Sequence, residues 1–233
     1  MKICLDAGHY GKYNPSPVVK GYYEAEMAWK LHLLLKTELE SYGCEVITTR
    51  ADQAKDMAVY DRGKAAKGCD LLISLHSNAT ADGALSPDYP LACCQISGAT
   101  DTLGELLAKK VAEIMGTKQA GRIAKRRGKN GDWYGVLRGA AAVGVPAILL
   151  EHSFHTNPTA AAWLMREDNL RKLAEAEAET IAKHYGLTKK ASETPRTLYR
   201  LQCGAFAVKN NALQEQKRLK AMGVETIIVV TTE

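Results

Sequence analysis

The chain has 233 residues, a formal net charge of +5 and 46% hydrophobic residues. That length holds one sizeable core plus a small appendage, and the mild basic excess suits an anionic substrate while falling short of a nucleic-acid-binding balance. No apolar stretch reaches membrane-spanning length, so membrane insertion is not expected; the start lacks a charged segment followed by an apolar one, which predicts synthesis in the cytoplasm without a signal peptide.

Ile3 to Gly8 is an apolar run that ends on His9 and reads as a buried parallel strand. A loop bearing Gly, Pro and Asn follows, from Gly11 to Gly21. A helix is expected from about Glu24 to Tyr42, because Met27, Leu31, Leu34 and Leu35 share a helical face and Gly43 stops it. Cys44 to Thr49 predicts a short strand and Asp56 to Lys67 a helix. Leu71 to Leu75 is a second buried run, ending on His76 and leading into a loop of small residues from Ser77 to Pro90. Leu91 to Ile96 reads as a strand, and Asp101 to Met115 as a helix with an acidic start. A basic loop, Gly116 to Gly131, precedes Trp133 to Arg138. Ala147 to Leu150 is the third run and ends on Glu151; Asn157-Pro158 is then a cap with a first-position proline, opening helical material as far as Tyr185. Such alternation predicts an α/β fold, a mostly parallel twisted sheet with helices on both faces.

The stretch from Leu187 to Thr197 is polar and carries Lys189, Lys190, Ser192, Glu193 and Pro195. It divides a domain over 1–187 from a segment over 198–233, with 188–197 as linker. That segment reads as a small β-α-β unit: Leu198 to Gln202, a helix near Asn210 to Met222, and Glu225 to Val230. Two strands and one helix bury too little to stand alone, so the segment is expected to pair with something. The six cysteines form no C-x-x-C motif. Cys4, Cys69 and Cys94 lie in or beside apolar runs and behave as small hydrophobes, which fits a reducing compartment at synthesis.

Carboxyl ends of parallel strands converge on one crevice, so His9, His76 and Glu151 should meet in space. A catalytic zinc ion takes three protein ligands and keeps one position open. His9 and His76 supply two nitrogens. Glu24 is the best oxygen ligand, since the loop after His9 can fold it back over the strand ends; Glu26 is the alternative. Glu151 is then free to act as general base.

The segments Asp6-Ala7-Gly8-His9, Glu24 before an apolar helix, Ser74-Leu75-His76-Ser77-Asn78-Ala79, and Pro146-Ala147-Ile148-Leu149-Leu150-Glu151 followed by Phe154 and Thr156-Asn157 resemble the zinc-dependent N-acetylmuramoyl-L-alanine amidases of the His-Glu-His, α/β-sheet branch. The resemblance covers about Met1 to Tyr185, with Thr49-Arg50 and Arg62 in matching places. It implies one Zn2+ per chain on His9, Glu24 and His76, a catalytic Glu151, and hydrolysis of the peptidoglycan amide between N-acetylmuramic acid and L-alanine. A phage endolysin, released to the cell wall through a holin pore, is the expected setting, and a sporulation or mother-cell lysis amidase is the alternative. A zinc peptidase is disfavoured because neither H-E-x-x-H nor a close H-x-x-E pairing surrounds His9 or His76. A non-catalytic wall-binding protein is expected to have lost a ligand or the base. The tail, Tyr199 to Phe206 and Thr226 to Val230, resembles half of a SPOR wall-binding repeat, with Cys203 in place of an aliphatic residue. An open sheet edge invites pairing, so a homodimer completing one sheet is expected, against docking on the amidase domain.

Further residues carry expectations. Asn78 binds substrate or braces His76. Arg126 and Arg127, in the basic loop, grip stem-peptide carboxylates. Trp133 and Tyr134 line the groove or pack. His152 and His155 flank Glu151 and take structural roles ahead of substrate contact. Asp6 orients a ligand or the turn after the first strand.

Overall fold

Lys2–Ala7 opens the chain as strand β1 in a computed structural model that describes residues 1–190 and 203–230. Helix α1 (Glu24–Ser41), strand β2 (Glu45–Thr48) and the short helix α2 (Val59–Lys64) follow. Next come β3 (Leu71–Asn78), β4 (Leu91–Cys94) and helix α3 (Asp101–Met115). Short strands β5 (Arg122–Ala124), β6 (Arg127–Gly128) and β7 (Gly131–Asp132) lead to α4 (Gly135–Ala142). Strand β8 (Ala147–Phe154) precedes α5 (Pro158–Leu164), α6 (Glu167–Tyr185) and, further on, α7 (Lys209–Ala221).

Six strands form one sheet in the order β2-β1-β3-β8-β4-β5. The pairs β1–β2, β1–β3 and β3–β8 are parallel, as is β4–β5, while β4 runs antiparallel to β8. The sheet is thus mostly parallel, as its apolar strands predict. Alternate residues face opposite sides of a strand, and the two cores divide on that rule. Ile3, Leu5, Leu71, Ile73, Leu75, Ile148 and Leu150 pack with α1, α3 and α6. Cys4, Leu72, Ala147 and Leu149 pack with Ala66, Val136, Leu137 and Ala140 on the α2/α4 side. Burying each large aliphatic side chain stabilises the fold by roughly 1.5–3 kcal/mol. The same parity carries Asp6, Ser74, His76 and Glu151 to the α2/α4 face.

The structure departs from the sequence reading at several points. The basic loop contributes an edge strand, β5, because the free edge of β4 takes up Arg122-Ile123-Ala124 in parallel register. The helix expected over Asp56–Lys67 is confined to Val59–Lys64. The helical material after Asn157 is two helices, broken at Met165–Arg166, where Asn169 Nδ2 donates to the Trp163 carbonyl (2.9 Å). Asn157 does cap α5, its side chain accepting from the Thr159 and Ala160 N–H groups.

The chain divides into two units, Met1–Ala191 and Ser192–Glu233. In the second, α7 is the sole regular element among the described residues. The strand expected at Glu225–Val230 is absent: the segment has no ladder, and Ile227 and Val230 are 86% and 84% exposed. A strand needs a partner ladder, and among the described residues the backbone of this segment has only the hydrogen bond that Gln216 Nε2 donates to the Thr226 carbonyl (2.8 Å). The strand expected at Leu198–Gln202 lies outside the described residues.

Candidate metal and catalytic site

The turn after β1 is built around close approaches. A Cβ on Gly8 would lie 2.4 Å from His76 Cε1, so only glycine lets the His76 ring rest against the end of β1. His9 follows with a positive φ of 58°, a conformation that costs roughly 1–2 kcal/mol in a non-glycine residue. Two buried arginines hold it there. Arg62 donates to the Ala7 and His9 carbonyls, both at 2.8 Å, and Arg50 donates to the Ala7 carbonyl at 2.8 Å. Arg62 also pairs with Asp6 (3.3 Å) and Asp56 (3.0 Å).

Glu24, in the first turn of α1 and 2% exposed, is the centre of the cluster. Its Oε1 lies 2.8 Å from His76 Nδ1 and 3.2 Å from His9 Nε2, and accepts the Ser77 N–H (3.1 Å). Its Oε2 accepts from Asn14 Nδ2 at 2.8 Å. Burial alone would push this carboxyl up; hydrogen bonds with His76 and His9 outweigh it and hold the group well below the usual carboxylate range. The donor atoms of His9, Glu24 and His76 all lie within 4.8 Å of one another. Two imidazoles and one carboxylate at that separation are a donor set suited to a divalent cation of the zinc type. Glu26 stands outside this group.

A second layer orients the donors. Ser74 Oγ donates to Asp6 Oδ2 (2.7 Å) and sits 3.1 Å from His76 Nε2. With its own proton committed to Asp6, the hydroxyl oxygen accepts a hydrogen bond from His76 Nε2–H, which leaves the Nδ1 lone pair facing Glu24. Asp6 is itself held by the Thr49 hydroxyl (2.6 Å). Asn14, at φ 51°, bridges Glu24 and His9 Nε2 (3.1 Å).

His9, Asn14, Glu24 and His76 line a cavity of about 580 Å³ with Tyr10, Tyr13, Asn78, Tyr134, Leu149, His155 and Glu151. Glu151 is the register partner of His76 across β3–β8. Its Oε2 is buried with no hydrogen-bond partner. Burial, and then the charge of Glu24, raise its carboxyl well above the usual range. A buried carboxyl oxygen without a partner, beside a set of cation donors, is poised for proton exchange with whatever enters the cavity.

The flanking histidines are packed into the scaffold. His152 Nδ1 donates to the His76 carbonyl (2.9 Å), and its Nε2 lies 2.8 Å from Glu177 of α6. Burial lowers its proton affinity, but Glu177 and the backbone carbonyls more than reverse this and raise it. His155 Nδ1 meets the Ser77 carbonyl at 2.9 Å, with its ring 5.9 Å from that of Tyr22, whose hydroxyl donates to Ser77 Oγ; burial lowers its proton affinity despite Glu24 nearby. Asn78 lines the cavity, but its carboxamide oxygen accepts the Ala79 N–H rather than bracing His76. Arg126 lies over the Trp133 and Tyr134 rings and donates to the Tyr134 hydroxyl at 3.4 Å, which puts it at the margin of the cavity. Arg127 lines a different cavity, with Asp132 and Arg138. Sequence reasoning assigned no role to Asn14, Ser74, Tyr10 or Tyr13. Asn14 had one visible signal, an asparagine in a turn that needs a positive φ.

A sequence profile of the family described as N-acetylmuramoyl-L-alanine amidase matches residues 3–183, and one described as SPOR domain matches residues 169–233. The two overlap in α6, whose buried face packs in the amidase core. A sporulation-specific N-acetylmuramoyl-L-alanine amidase of Bacillus subtilis (strain 168) is 28% identical over 99% of this chain and 85% of its own length. An endolysin of Bacillus phage SPP1 is 31% identical over 81% of this chain and 68% of its own. The catalytic domain of CwlV, an N-acetylmuramoyl-L-alanine amidase from Bacillus (Paenibacillus) polymyxa var. colistinus, has the same fold: TM-score 0.67, 23% identity, 80% of this chain and 99% of that one.

Proposed function

The chain belongs to the N-acetylmuramoyl-L-alanine amidase family and acts on peptidoglycan, and we propose that it does so with one zinc ion held by His9, Glu24 and His76 and with Glu151 moving the proton. The observation that carries this reading is the convergence of those three donors beside the unpaired carboxyl of Glu151. Bound there, zinc would polarise the scissile carbonyl and acidify the attacking water.

The rest falls to side chains. Glu151 takes the proton of the attacking water and hands it to the departing amine of L-alanine. A divalent cation bound by those donors would favour its ionised form, against the burial and the Glu24 charge that raise it otherwise. The Asp6–Ser74 pair fixes the ring orientation of His76, and Arg62 fixes the turn that carries His9. The test is digestion of purified cell wall followed by mass spectrometry. New L-alanine amino termini, matched by free lactyl ends and abolished by chelator, are expected; cleavage at a glycosidic or peptide–peptide bond would overturn the reading.

Two settings fit. The phage relative, at 31% identity, supports a role in lysis as an endolysin released to the wall through a holin pore. The sporulation-specific relative, whose match spans 99% of the chain including the tail, supports a mother-cell or spore-wall role. Protein that rises on prophage induction favours the first, and protein that rises during sporulation favours the second. We read the boundaries as amidase domain 1–187, linker 188–197 and SPOR-like segment 198–233, with the segment binding wall or pairing two chains.

A further inference from the structure

Two exposed tyrosines in this chain have no evident structural task. Tyr10 and Tyr13 are 37% and 50% exposed, yet both line the cavity that holds the metal donors. Their rings stack at 5.6 Å and 23°, and Tyr13 stacks on His9 at 5.4 Å and 16°. Neither hydroxyl has a hydrogen-bond partner among the described contacts. The segment beneath them is anchored: the Gly11 N–H donates to the Gln53 carbonyl (2.9 Å), the Asn14 carbonyl accepts from the Glu24 N–H (2.9 Å), and Pro15 pairs with Tyr23. A fixed aromatic ladder therefore runs from a metal ligand out to water. Packing interiors do not need such a ladder at the mouth of a site; ligands do.

We infer that Tyr10 and Tyr13 form a stacking platform for a pyranose ring on the glycan side of the substrate. The inference rests on the proposed function, and the order of strands in the sheet assigns the two sides. In that sheet β1 and β8 flank β3, so the His9 turn and Glu151 stand on opposite sides of His76. Glu151 delivers its proton to the leaving amine, which belongs to the stem peptide. The peptide then extends over the β8 side, where Tyr134 lines the cavity and Arg126 offers a cation to its carboxylates. The acyl half of the bond, a lactyl ether on a sugar, extends over the β1 side and meets the tyrosines. The chemistry agrees with the placement. A pyranose presents a face of weakly positive C–H groups, complementary to the negative face of an aromatic ring, whereas a carboxylated peptide seeks a guanidinium.

Two substrates separate this role from others: a disaccharide muramoyl peptide, and the same lactyl peptide without any sugar. Tyr13 touches His9, so Tyr10→Ala is the cleaner variant, with Tyr10→Phe and Tyr13→Phe as ring-retaining controls. Tyr10→Ala is expected to raise KM for the disaccharide peptide about fivefold with kcat held, to leave the sugar-free peptide unchanged, and the Phe variants are expected to behave as wild type. A second readout needs no turnover: saturation transferred from the protein to the sugar C–H protons of the peptide-free disaccharide is expected in wild type and lost in Tyr10→Ala. Equal losses on both substrates, or no loss on either, would overturn the platform. Wild-type protein that cleaves the sugar-free peptide and the disaccharide peptide with the same KM would also overturn it while leaving the amidase reading intact; failure to cleave either would remove both.

Discussion

Glu24 and Glu151 are buried carboxyls that line one cavity, and their surroundings push them in opposite directions. Glu24 accepts hydrogen bonds from a backbone amide and an asparagine, faces His76 Nδ1 at 2.8 Å, and stays ionised. Glu151 has one oxygen with no partner and is raised by burial and by Glu24. Pairs whose environments separate their proton affinities divide into a fixed charge and a proton carrier. Glu151→Gln is therefore expected to keep the proposed zinc, read by elemental analysis, while kcat falls by about a thousandfold; near-wild-type turnover would end the assignment. Glu24→Ala is expected to lose the metal itself. A third buried group, remote from this chemistry, sets a pH dependence. Burial, with the Arg50 charge working against a bond to the Trp29 carbonyl, brings His32 from 6.5 down to about 4. Its folded proton affinity is depressed, so the unfolded chain binds the extra proton between those values. Stability from this group is complete above 6.5 and falls by about 1.4 kcal/mol for each pH unit on the way down. Urea midpoints at about pH 7 and about pH 4.5 should therefore diverge more for wild type than for His32→Gln, whose matching slope would refute the account. That His9, Glu24, His76 and Glu151 come together was legible because each sits at the end of an apolar run or opens a periodic helix. The contacts of Asn14 and Ser74 with that group were not, because they exist only once a loop and a neighbouring strand are in place.

The same distinction holds for helices and strands. Long periodic segments such as Glu24–Ser41 and Asp101–Met115 emerge where the spacing of apolar residues puts them, since their burial is written in the chain itself. Strand β5 is three residues whose pairing depends on the edge that β4 offers, and no local signal announces that. The crossing of α2 and α4 is hidden in the same way. A Cβ on Gly63 would lie 2.1 Å from the Val136 carbonyl oxygen, and one on Gly139 would lie 2.0 Å from that of Tyr60. Backbone meets backbone there, so no side-chain rotation can relieve a substitution. Gly139→Ala is expected to cost about 2–4 kcal/mol in urea unfolding, where Ala142→Ser, exposed on the same helix, stays within about 0.5 kcal/mol. The crossing also positions Arg62, which holds the carbonyls of Ala7 and His9. Metal affinity in the folded Gly139→Ala protein should accordingly fall, and unchanged affinity would show that the turn holds itself.

Both apolar cores close within residues up to Leu187, so the catalytic fold has its burial without the tail. The second unit is the reverse case. None of the residues in α7 is buried, and Ile227, Val229 and Val230 are exposed. Apolar side chains left in water are an unmet demand for a partner, which is the physical ground for the proposed role in pairing two chains or in holding the wall. Removing the tail should therefore change assembly and retention rather than chemistry. Full-length protein is expected to sediment at twice the chain mass and the Met1–Leu187 form at once, with equal turnover of soluble muramoyl peptides by both. Only the full-length form is expected to remain on insoluble wall through a wash. A full-length monomer would end the pairing reading and leave wall retention as the sole task of the segment; a truncated form that unfolds would show that the amidase core needs the tail after all.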